Sequence, residues 1–245
     1  MRLLLINPNT SAAITDLVAA EARKIIKPDV ELSAVTGRFG GRYVASRAAY
    51  AIAGYATLEA YAETGQDADA VLLACFGDPG LLALREIARQ PVIGMAEASC
   101  LTAAAFGGRF AIVTGGDRWG PMLREFVAMI GLTDRLAVVQ TVAPSGADIA
   151  RDPQSAMDLL VAACQSSITD HGASRIILGG AGLAGLAARI ADRVDVPLID
   201  SLIASVQMAE QAGREHHGKR YAAASTAVET VGLTAKLAAL LRGSA

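Results

Sequence analysis

Cys75 is the residue best suited to acid–base or nucleophilic chemistry. It follows a short apolar run, and the Asp78-Pro79-Gly80 turn after it predicts the start of a helix. Backbone amides and a helix N-terminus at such a turn lower the pKa of a thiol and favour the thiolate, the form that accepts protons. The alternative interpretation of Cys75 is a small buried hydrophobic residue.

Polar residues follow the first apolar run of the chain. Asn7, Asn9 and Thr10 supply amide and hydroxyl donors, which suit recognition of a carboxylate or an imide. Helix capping by Asn9 or Thr10 is the other interpretation, and both can hold. Thr114, followed by Gly115-Gly116-Asp117, occupies the equivalent place in the second half of the chain and has the same two interpretations.

The sequence does not contain the residue patterns that other catalytic mechanisms would need. Cys100 and Cys164 lie in apolar stretches and are predicted core residues, so three widely spaced cysteines form neither a disulfide framework nor a zinc site. We predict no metal site, because the histidines (His171 and the pair His216-His217) read as solvated. We predict no cofactor, because the lysines (Lys24, Lys27, Lys219 and Lys236) lie away from the strand-end turns that would hold pyridoxal phosphate.

A glycine pattern in the second half matches a dinucleotide fingerprint. Gly180, Gly182 and Gly185 give GxGxxG, with Asp200 about 20 residues further on. The fingerprint normally opens the first βαβ unit, whereas this one follows the third predicted strand of its set. The favoured interpretation is a glycine turn whose amides approach a small anion.

Eight short apolar runs predict the strands that must position these residues. Each is followed by a stretch of helical length, which is typical of a parallel sheet flanked by helices. The predicted strands span residues 3–6, 30–35, 70–74, 92–94, 110–114, 137–141, 175–178 and 198–199. Helix starts are predicted at Ala12, Leu81 and Gln154.

The two halves of the chain resemble one another around the third strand of each set. AVLLACFGDPGLLALREIARQP (residues 70–91) and RIILGGAGLAGLAARIADRVDVP (residues 175–197) each give a strand, a small-residue turn, a helix and a proline-led strand. Their alignment places Cys75 opposite Gly180, and the first strands place Asn7 opposite Thr114. Generic similarity between βαβ units is the alternative explanation.

A true repeat predicts an α/β fold with two pseudo-symmetric domains. Each has a four-stranded parallel sheet flanked by helices, with the active site between the domains at the carboxyl ends of the strands. The predicted boundaries are residues 1–97 plus 207–245 for the first domain and residues 98–206 for the second.

Composition excludes several classes of protein. The chain has 245 residues, 53% of them hydrophobic and 19% charged, with 22 basic and 24 acidic residues. This near-neutral balance excludes a basic nucleic-acid binder. Mean hydropathy is +0.38, yet no apolar run approaches the roughly 18 residues that a spanning helix needs. We therefore expect no membrane partner, a cytoplasmic location, a small-molecule substrate and, from the alanine-rich helices, a homo-oligomer.

Several motifs together carry a resemblance to a known family. LINPNTS at residues 5–11, ACFGDPG at 74–80, PVIGMAEA at 91–98 and LGGAGLAGLA at 178–187 resemble the aspartate/glutamate/hydantoin racemase superfamily, most closely its hydantoin and allantoin racemase branch. The resemblance implies a pocket between two α/β domains, no cofactor, and two cysteines on opposite faces of the substrate's α-carbon. It also implies substrate contacts from the residues beside those cysteine positions, namely Phe76, Gly77, Gly179 and Ala181.

The chain departs from that pattern at one position. Cys75 falls on the first cysteine of the family, but Gly180 stands where the second is expected. Glycine has no side chain to move a proton, so the departure puts two-cysteine racemisation in doubt. Four alternatives stay open. A racemase could use water, Asp117 or Asp200 as the second acid. Cys75 could act on one face of the substrate only, as in the similar arylmalonate decarboxylase, or as a covalent nucleophile, as in the similar maleate isomerases. The fourth alternative is a protein that only binds a small molecule.

All the catalytic alternatives require a stabilised carbanion or enolate. Backbone amides around Asn9, Phe76 and Gly180 are the predicted donors to the developing oxyanion. A hydrogen beside an imide carbonyl is more acidic than that of an amino-acid zwitterion, which favours cyclic ureides or malonate-like substrates. We favour a cofactor-independent racemase or isomerase that moves a proton through Cys75, with a lyase as second choice.

Overall fold

Two four-stranded parallel sheets form the framework of the protein in the computed structural model, which describes residues 1–216 and 229–243. The first sheet has the order β2-β1-β3-β4, with β1 at Arg2–Asn7, β2 at Glu31–Thr36, β3 at Ala70–Leu73 and β4 at Val92–Gly94. The second has the order β6-β5-β7-β8, with β5 at Phe110–Gly115, β6 at Leu136–Val142, β7 at Arg175–Leu178 and β8 at Leu198–Asp200.

The identical strand order of the two sheets confirms the predicted fold. All eight predicted strands are present, and every boundary lies within one residue of its prediction. The strands can be predicted from the sequence because the inner strands of each sheet are covered on both faces. In β3 and β5 every residue is buried, so these strands appear in the sequence as continuous apolar runs.

Ten α-helices are described around the sheets. They are α1 (Ala12–Arg23), α2 (Arg47–Thr64), α3 (Leu81–Ile87), α4 (Met95–Ala105), α5 (Trp119–Met129), α6 (Gly146–Arg151), α7 (Pro153–Thr169), α8 (Ala187–Ile190), α9 (Ser201–Glu215) and α10 (Ala235–Leu241). Helix α1 begins at the predicted residue, and α7 begins one residue earlier than predicted, where Asp152 accepts a hydrogen bond from Ser155 N at 3.3 Å.

Helices α4 and α9 join the two halves. Helix α4 follows the first sheet but also packs against β5, β7 and β8, whereas α9 follows the second sheet and also packs against β1, β3 and β4. The two helices pack against each other as well. The predicted domain boundaries at 97/98 and 206/207 fall inside these two helices, and the division into domains stays a prediction.

Within residues 1–216 and 229–243, no helix is both long enough and apolar enough to cross a membrane.

Candidate active site

A small cavity lies where the carboxyl ends of the two sheets meet. The turns after β1, β3 and β7 and the end of β5 reach it, and α1, α5 and the segment before α2 complete it. Its lining comprises Asn9, Ile14, Tyr43, Val44, Cys75, Phe76, Thr114, Trp119, Gly180, Ala181 and Gly182. Its free volume of about 20 Å³ is close to the room that one ordered water needs, so a larger molecule enters only if the lining moves.

Cys75 contributes the thiol of this cavity. It lies two residues beyond the end of β3 and is 7% exposed. Burial raises the pKa of the thiol to about 12, and the charge of Asp78 adds to the rise. The expectation that a helix N-terminus lowers this pKa is therefore wrong. Desolvation disfavours the thiolate, and the neighbouring helix α3 begins only at Leu81.

Asp78 serves a different helix from the one that the sequence indicates. Helix α3 begins at the predicted residue, Leu81, but its N-cap is Gly80 and no side chain caps it, so the Asp78 side chain is not its cap. Instead, the Asp78 carboxylate accepts hydrogen bonds from Ala96 N at 2.9 Å and Glu97 N at 2.8 Å, in the first turn of α4. Burial raises the pKa of Asp78 to about 7, although the two amide hydrogen bonds oppose the rise.

Gly94 makes room for this carboxylate. A Cβ at Gly94 would lie 2.2 Å from Asp78 Oδ2. The equivalent position in the second sheet is Asp200, since the third and fourth strands pair Leu73 with Gly94 in one sheet and Leu178 with Asp200 in the other. Both halves thus place a buried carboxylate at the start of the helix after the fourth strand, but they take it from different points in the chain.

Gly180 occupies the cavity wall contributed by the second sheet. Its φ of +139° lies in a region that favours glycine, and a Cβ there would be 3.7 Å from Thr114 Oγ1 and 3.3 Å from Leu183 Cδ1. Ala181 continues the same wall. The structure therefore brings Cys75, Gly180, Thr114 and Ala181, predicted from the repeat and from the resemblance, into one cavity.

Tyr43 and Trp119 are lining residues that sequence reasoning missed. Tyr43 lies between β2 and α2, and its hydroxyl accepts a hydrogen bond from Gly146 N at 3.0 Å. Trp119 opens α5 and is 5% exposed. A glycine- and arginine-rich segment with two aromatic residues, GRFGGRY at 37–43, is the one signal that could have pointed to Tyr43.

Trp119 also borders two outer cavities. One of about 380 Å³ is mostly apolar, although the charged residues Arg47 and Glu125 also line it. A more polar one of about 440 Å³ includes Ser46, Asp117, Arg118 and Ser145. The Trp119 indole thus lines both outer cavities as well as the cavity at Cys75.

The polar residues after β1 divide between the cavity and the scaffold. Asn9 lines the cavity, whereas Asn7 is fully buried and donates to Asn9 Oδ1 at 2.9 Å and to Thr15 Oγ1 at 3.0 Å. Thr10 donates through its backbone amide to Gly41 O at 3.1 Å. Helix capping by Asn9 or Thr10 is wrong, because the N-cap of α1 is Ser11, without a side-chain cap.

Phe76 lines the cavity, whereas Gly77 and Gly179, also predicted to contact the substrate, do not line it. A Cβ at Gly179 would meet the Phe76 ring at 2.5 Å, so glycine there lets the ring pack closely. Gly77 has a φ of +110°, and a Cβ there would lie 2.7 Å from Trp119 Cζ3. Gly77 borders the apolar outer cavity instead of the inner one.

The two carboxylates considered as a second acid lie away from the cavity lining. Asp117 is exposed and borders the polar outer cavity. Asp200 is occupied at the start of α9, where it accepts hydrogen bonds from Leu202 N at 2.9 Å and Gly185 N at 2.8 Å. Neither side chain reaches the cavity at Cys75 in this structure.

The glycine pattern after β7 serves close packing. A Cβ at Gly182 would lie 2.0 Å from Gly146 O, so the turn and α6 touch through their backbones. The helix that follows, α8, has only four residues. The remaining thiols, Cys100 and Cys164, are fully buried in the core as predicted.

The other residues weighed for chemistry also lie elsewhere. His171 is exposed, and the described residues hold no group of three or more histidine, cysteine, aspartate or glutamate side chains that could bind a metal ion. Lys24 pairs with Glu21 and Lys236 with Glu63. His217 and Lys219 lie outside the described residues.

The three amides predicted to hold an oxyanion differ in what they already bind. Asn9 N donates to Asn7 Oδ1 and Gly180 N to Ser201 Oγ, both at 3.3 Å. The Phe76 amide donates to no group within residues 1–216 and 229–243. Phe76 N is thus the amide available to a substrate oxygen.

Comparisons with known proteins agree with this architecture. The model of the Asp/Glu/hydantoin racemase family matches residues 3–209. A hydantoin racemase from Paenarthrobacter aurescens is 34% identical over 212 residues, which cover 86% of this chain and 90% of that protein. The crystal structure of allantoin racemase from Pseudomonas fluorescens superposes with a TM-score of 0.86 at 30% identity, covering 97% of this chain and 96% of the other. Allantoin racemase from Klebsiella pneumoniae gives a TM-score of 0.85 at 32% identity, covering 97% and 98%.

Proposed function

We propose that Cys75 moves the proton at the α-carbon of a small cyclic ureide. The chain belongs to the Asp/Glu/hydantoin racemase family, and its relatives support a racemase, which is an isomerase. The substrate class is a five-membered ring of the hydantoin type. The support comes from the chemistry of the cavity and from the place of Cys75 in it.

The observation that carries this proposal is the uncharged lining of the inner cavity. Among the described residues that line it, none is an aspartate, glutamate, lysine, arginine or histidine. A dicarboxylate or an amino-acid zwitterion would be buried here without a charged partner, which is costly. A neutral ureide ring needs only hydrogen bonds, which Asn9, Thr114 and the Phe76 amide can supply.

The raised pKa of Cys75 fits an acidic carbon substrate. The thiol is protonated in the free protein at neutral pH, so only a small thiolate fraction is present to act as base. Its high pKa also makes that thiolate a strong base once formed. A C–H bond flanked by an imide carbonyl is acidic enough for such a base, in contrast to that of a free amino acid.

The proton-transfer step needs no external reagent. The C–H bond at the α-carbon breaks, its proton passes to Cys75 Sγ, and its electron pair moves onto the neighbouring carbonyl oxygen. Donation from Phe76 N stabilises the resulting enolate. Return of a proton to the other face of the carbon completes the inversion.

Hydrogen exchange in D₂O tests this proposal. Each enantiomer of 5-methylhydantoin is incubated with the protein, and loss of the C5 proton is followed by NMR while polarimetry follows inversion. We expect both to proceed faster than in protein-free buffer. Malonate and maleate derivatives run in parallel; turnover of these without exchange of the hydantoin would overturn the ureide assignment.

A pair of cysteine variants assigns the chemistry to one thiol. Cys75→Ala is expected to lose about 10²–10⁴-fold in exchange rate, the usual contribution of a general acid–base group. Cys164→Ala is the matched control, because Cys164 is also buried but lies in α7, outside the cavity lining. Full exchange by folded Cys75→Ala would remove Cys75 from the mechanism.

A further inference from the structure

The cavity offers a second proton carrier in place of the missing thiol at Gly180. Besides the Cys75 thiol, two side chains of the lining carry an exchangeable hydroxyl proton, namely Tyr43 and Thr114. A phenol is a far stronger acid than an aliphatic hydroxyl. We infer, on the basis of the proposed function, that the Tyr43 hydroxyl exchanges the proton on the face of the substrate carbon opposite Cys75.

The position of Tyr43 supports this role. Its hydroxyl is held at the second half of the protein by Gly146 N at 3.0 Å. Gly146 in turn packs against Gly182, since a Cβ on Gly182 would lie 2.0 Å from Gly146 O. Gly182 belongs to the same turn as Gly180, so the hydroxyl is attached to the cavity wall of the second sheet. Cys75 belongs to the wall of the first sheet.

The hydrogen bonds of Tyr43 leave its own proton available. Its oxygen accepts a hydrogen bond from Gly146 N at 3.0 Å. Because Gly146 N is the donor, this bond does not use the hydroxyl hydrogen. Burial, the largest effect, raises the pKa of Tyr43, while the Gly146 amide and the nearby Trp119 side chain lower it and stabilise the phenolate that forms when the proton leaves.

Protons and charge balance over the cycle. For one enantiomer, the Cys75 thiolate takes the α-proton and the Tyr43 hydroxyl protonates the opposite face, which leaves a thiol and a phenolate. That form acts on the other enantiomer with the roles reversed. Burial raises the pKa of both groups above its ordinary value, so each holds a proton more strongly in the protein than in water and can return it to the substrate carbon.

The test is Tyr43→Phe, which removes one oxygen atom and keeps the ring. Both enantiomers of 5-methylhydantoin are followed in D₂O, by NMR for exchange and by polarimetry for inversion. We expect inversion to fall about 10²–10⁴-fold, whereas the enantiomer whose proton faces Cys75 still exchanges with retention of configuration. A merely structural defect would slow both readouts together. Tyr55→Phe is the control, because Tyr55 is exposed and donates to Glu59 at 2.7 Å.

Three outcomes would overturn the inference. Inversion by Tyr43→Phe within about threefold of the wild type, with exchange unchanged, would leave the proposed function intact and exclude Tyr43. Exchange without inversion by the wild type would mean that no second carrier exists. Absence of any exchange by the wild type would overturn the proposed function and this inference with it.

A second variant keeps the inference testable if Tyr43→Phe does not fold. A fluorinated tyrosine placed at position 43 keeps the hydroxyl and the bond from Gly146 but is a stronger acid. The ionisable groups around it, Cys75 and Asp148, with Asp117 and Arg118 across the outer cavity, stay unchanged. The pH profile of inversion should shift to lower pH, while exchange from the Cys75 face should not; an unshifted inversion profile would overturn the inference.

Discussion

Replacing Asp78 by asparagine separates the charge of this side chain from its shape. Asp78 has a φ of 55°, a left-handed conformation that asparagine tolerates nearly as well as aspartate. The asparagine oxygen can still accept a hydrogen bond from one of the two amides at the start of α4. The NH₂ group would face the other amide, and two donors cannot pair.

The stability of the wild type should depend on the ionisation of Asp78. Its pKa rises from 3.8 to about 7 in the folded protein, so the folded state binds this proton more tightly than the unfolded state does. The stabilisation is fully present below about pH 4 and is lost as the pH rises towards 7. A rise of about three units corresponds to as much as about 4 kcal/mol in the free energy of unfolding.

The variant should lack this pH dependence. Compared with the wild type in which Asp78 is protonated, it loses about 1–3 kcal/mol in unfolding free energy, because one buried amide keeps no acceptor. At pH 5 it is therefore less stable than the wild type. At pH 8 the gap should narrow or reverse, because the variant buries no charge.

Urea unfolding followed by circular dichroism at pH 5 and pH 8 measures both free energies. Alkylation of Cys75 by iodoacetamide, followed by mass spectrometry, provides a second readout. The charge of Asp78 is the smaller of the two causes that raise the pKa of Cys75. Removing this charge should lower the pKa of Cys75 by less than half of its rise from 9.0 to about 12. Alkylation at pH 8 should therefore become faster by less than about 30-fold. An equal stability gap at both pH values would refute the reasoning.

Three further predictions follow from the same structure. Gly180→Ala should cost about 1–3 kcal/mol in unfolding free energy, because φ is +139°; an unchanged melting temperature would show that the turn relaxes freely, and the same strain would accompany Gly180→Cys. Gly77→Ala should displace the Trp119 ring, which lies 2.7 Å from the new Cβ, so tryptophan fluorescence should change and hydantoin exchange should fall; an unaltered spectrum contradicts this. The pKa values of Cys75 and Cys164 are raised from 9.0 to about 12, so the unfolded state releases these protons first as the pH rises above 9. Stability should then fall by up to about 1.4 kcal/mol per pH unit for each thiol, and Cys164→Ala should show a shallower slope in urea unfolding between pH 9 and 10.5; an equal slope would count against the burial argument.

The strands and their order of appearance could be read from the sequence, because buried parallel strands are short apolar runs that end in turn residues. The repeat around β3 and β7 identified the turns that meet at the cavity. Cys75 and Gly180 were paired by that alignment, and both line the cavity. Asp200 completes a dinucleotide fingerprint in the sequence, an interpretation that the position of the pattern after a third strand does not favour. In the structure its carboxylate caps α9.

Tertiary structure decided which side chains share the cavity and in what state of protonation. Tyr43 and Trp119 come from segments outside the repeated motif and reach the cavity only because the two halves pack together. Asp78 reaches α4 because Gly94, 16 residues away in sequence, leaves its space free. The sequence alone determined that a thiol stands at the end of a strand. Whether that thiol is ionised depends on desolvation by residues distant in the chain, so only the folded structure could show that its pKa is raised.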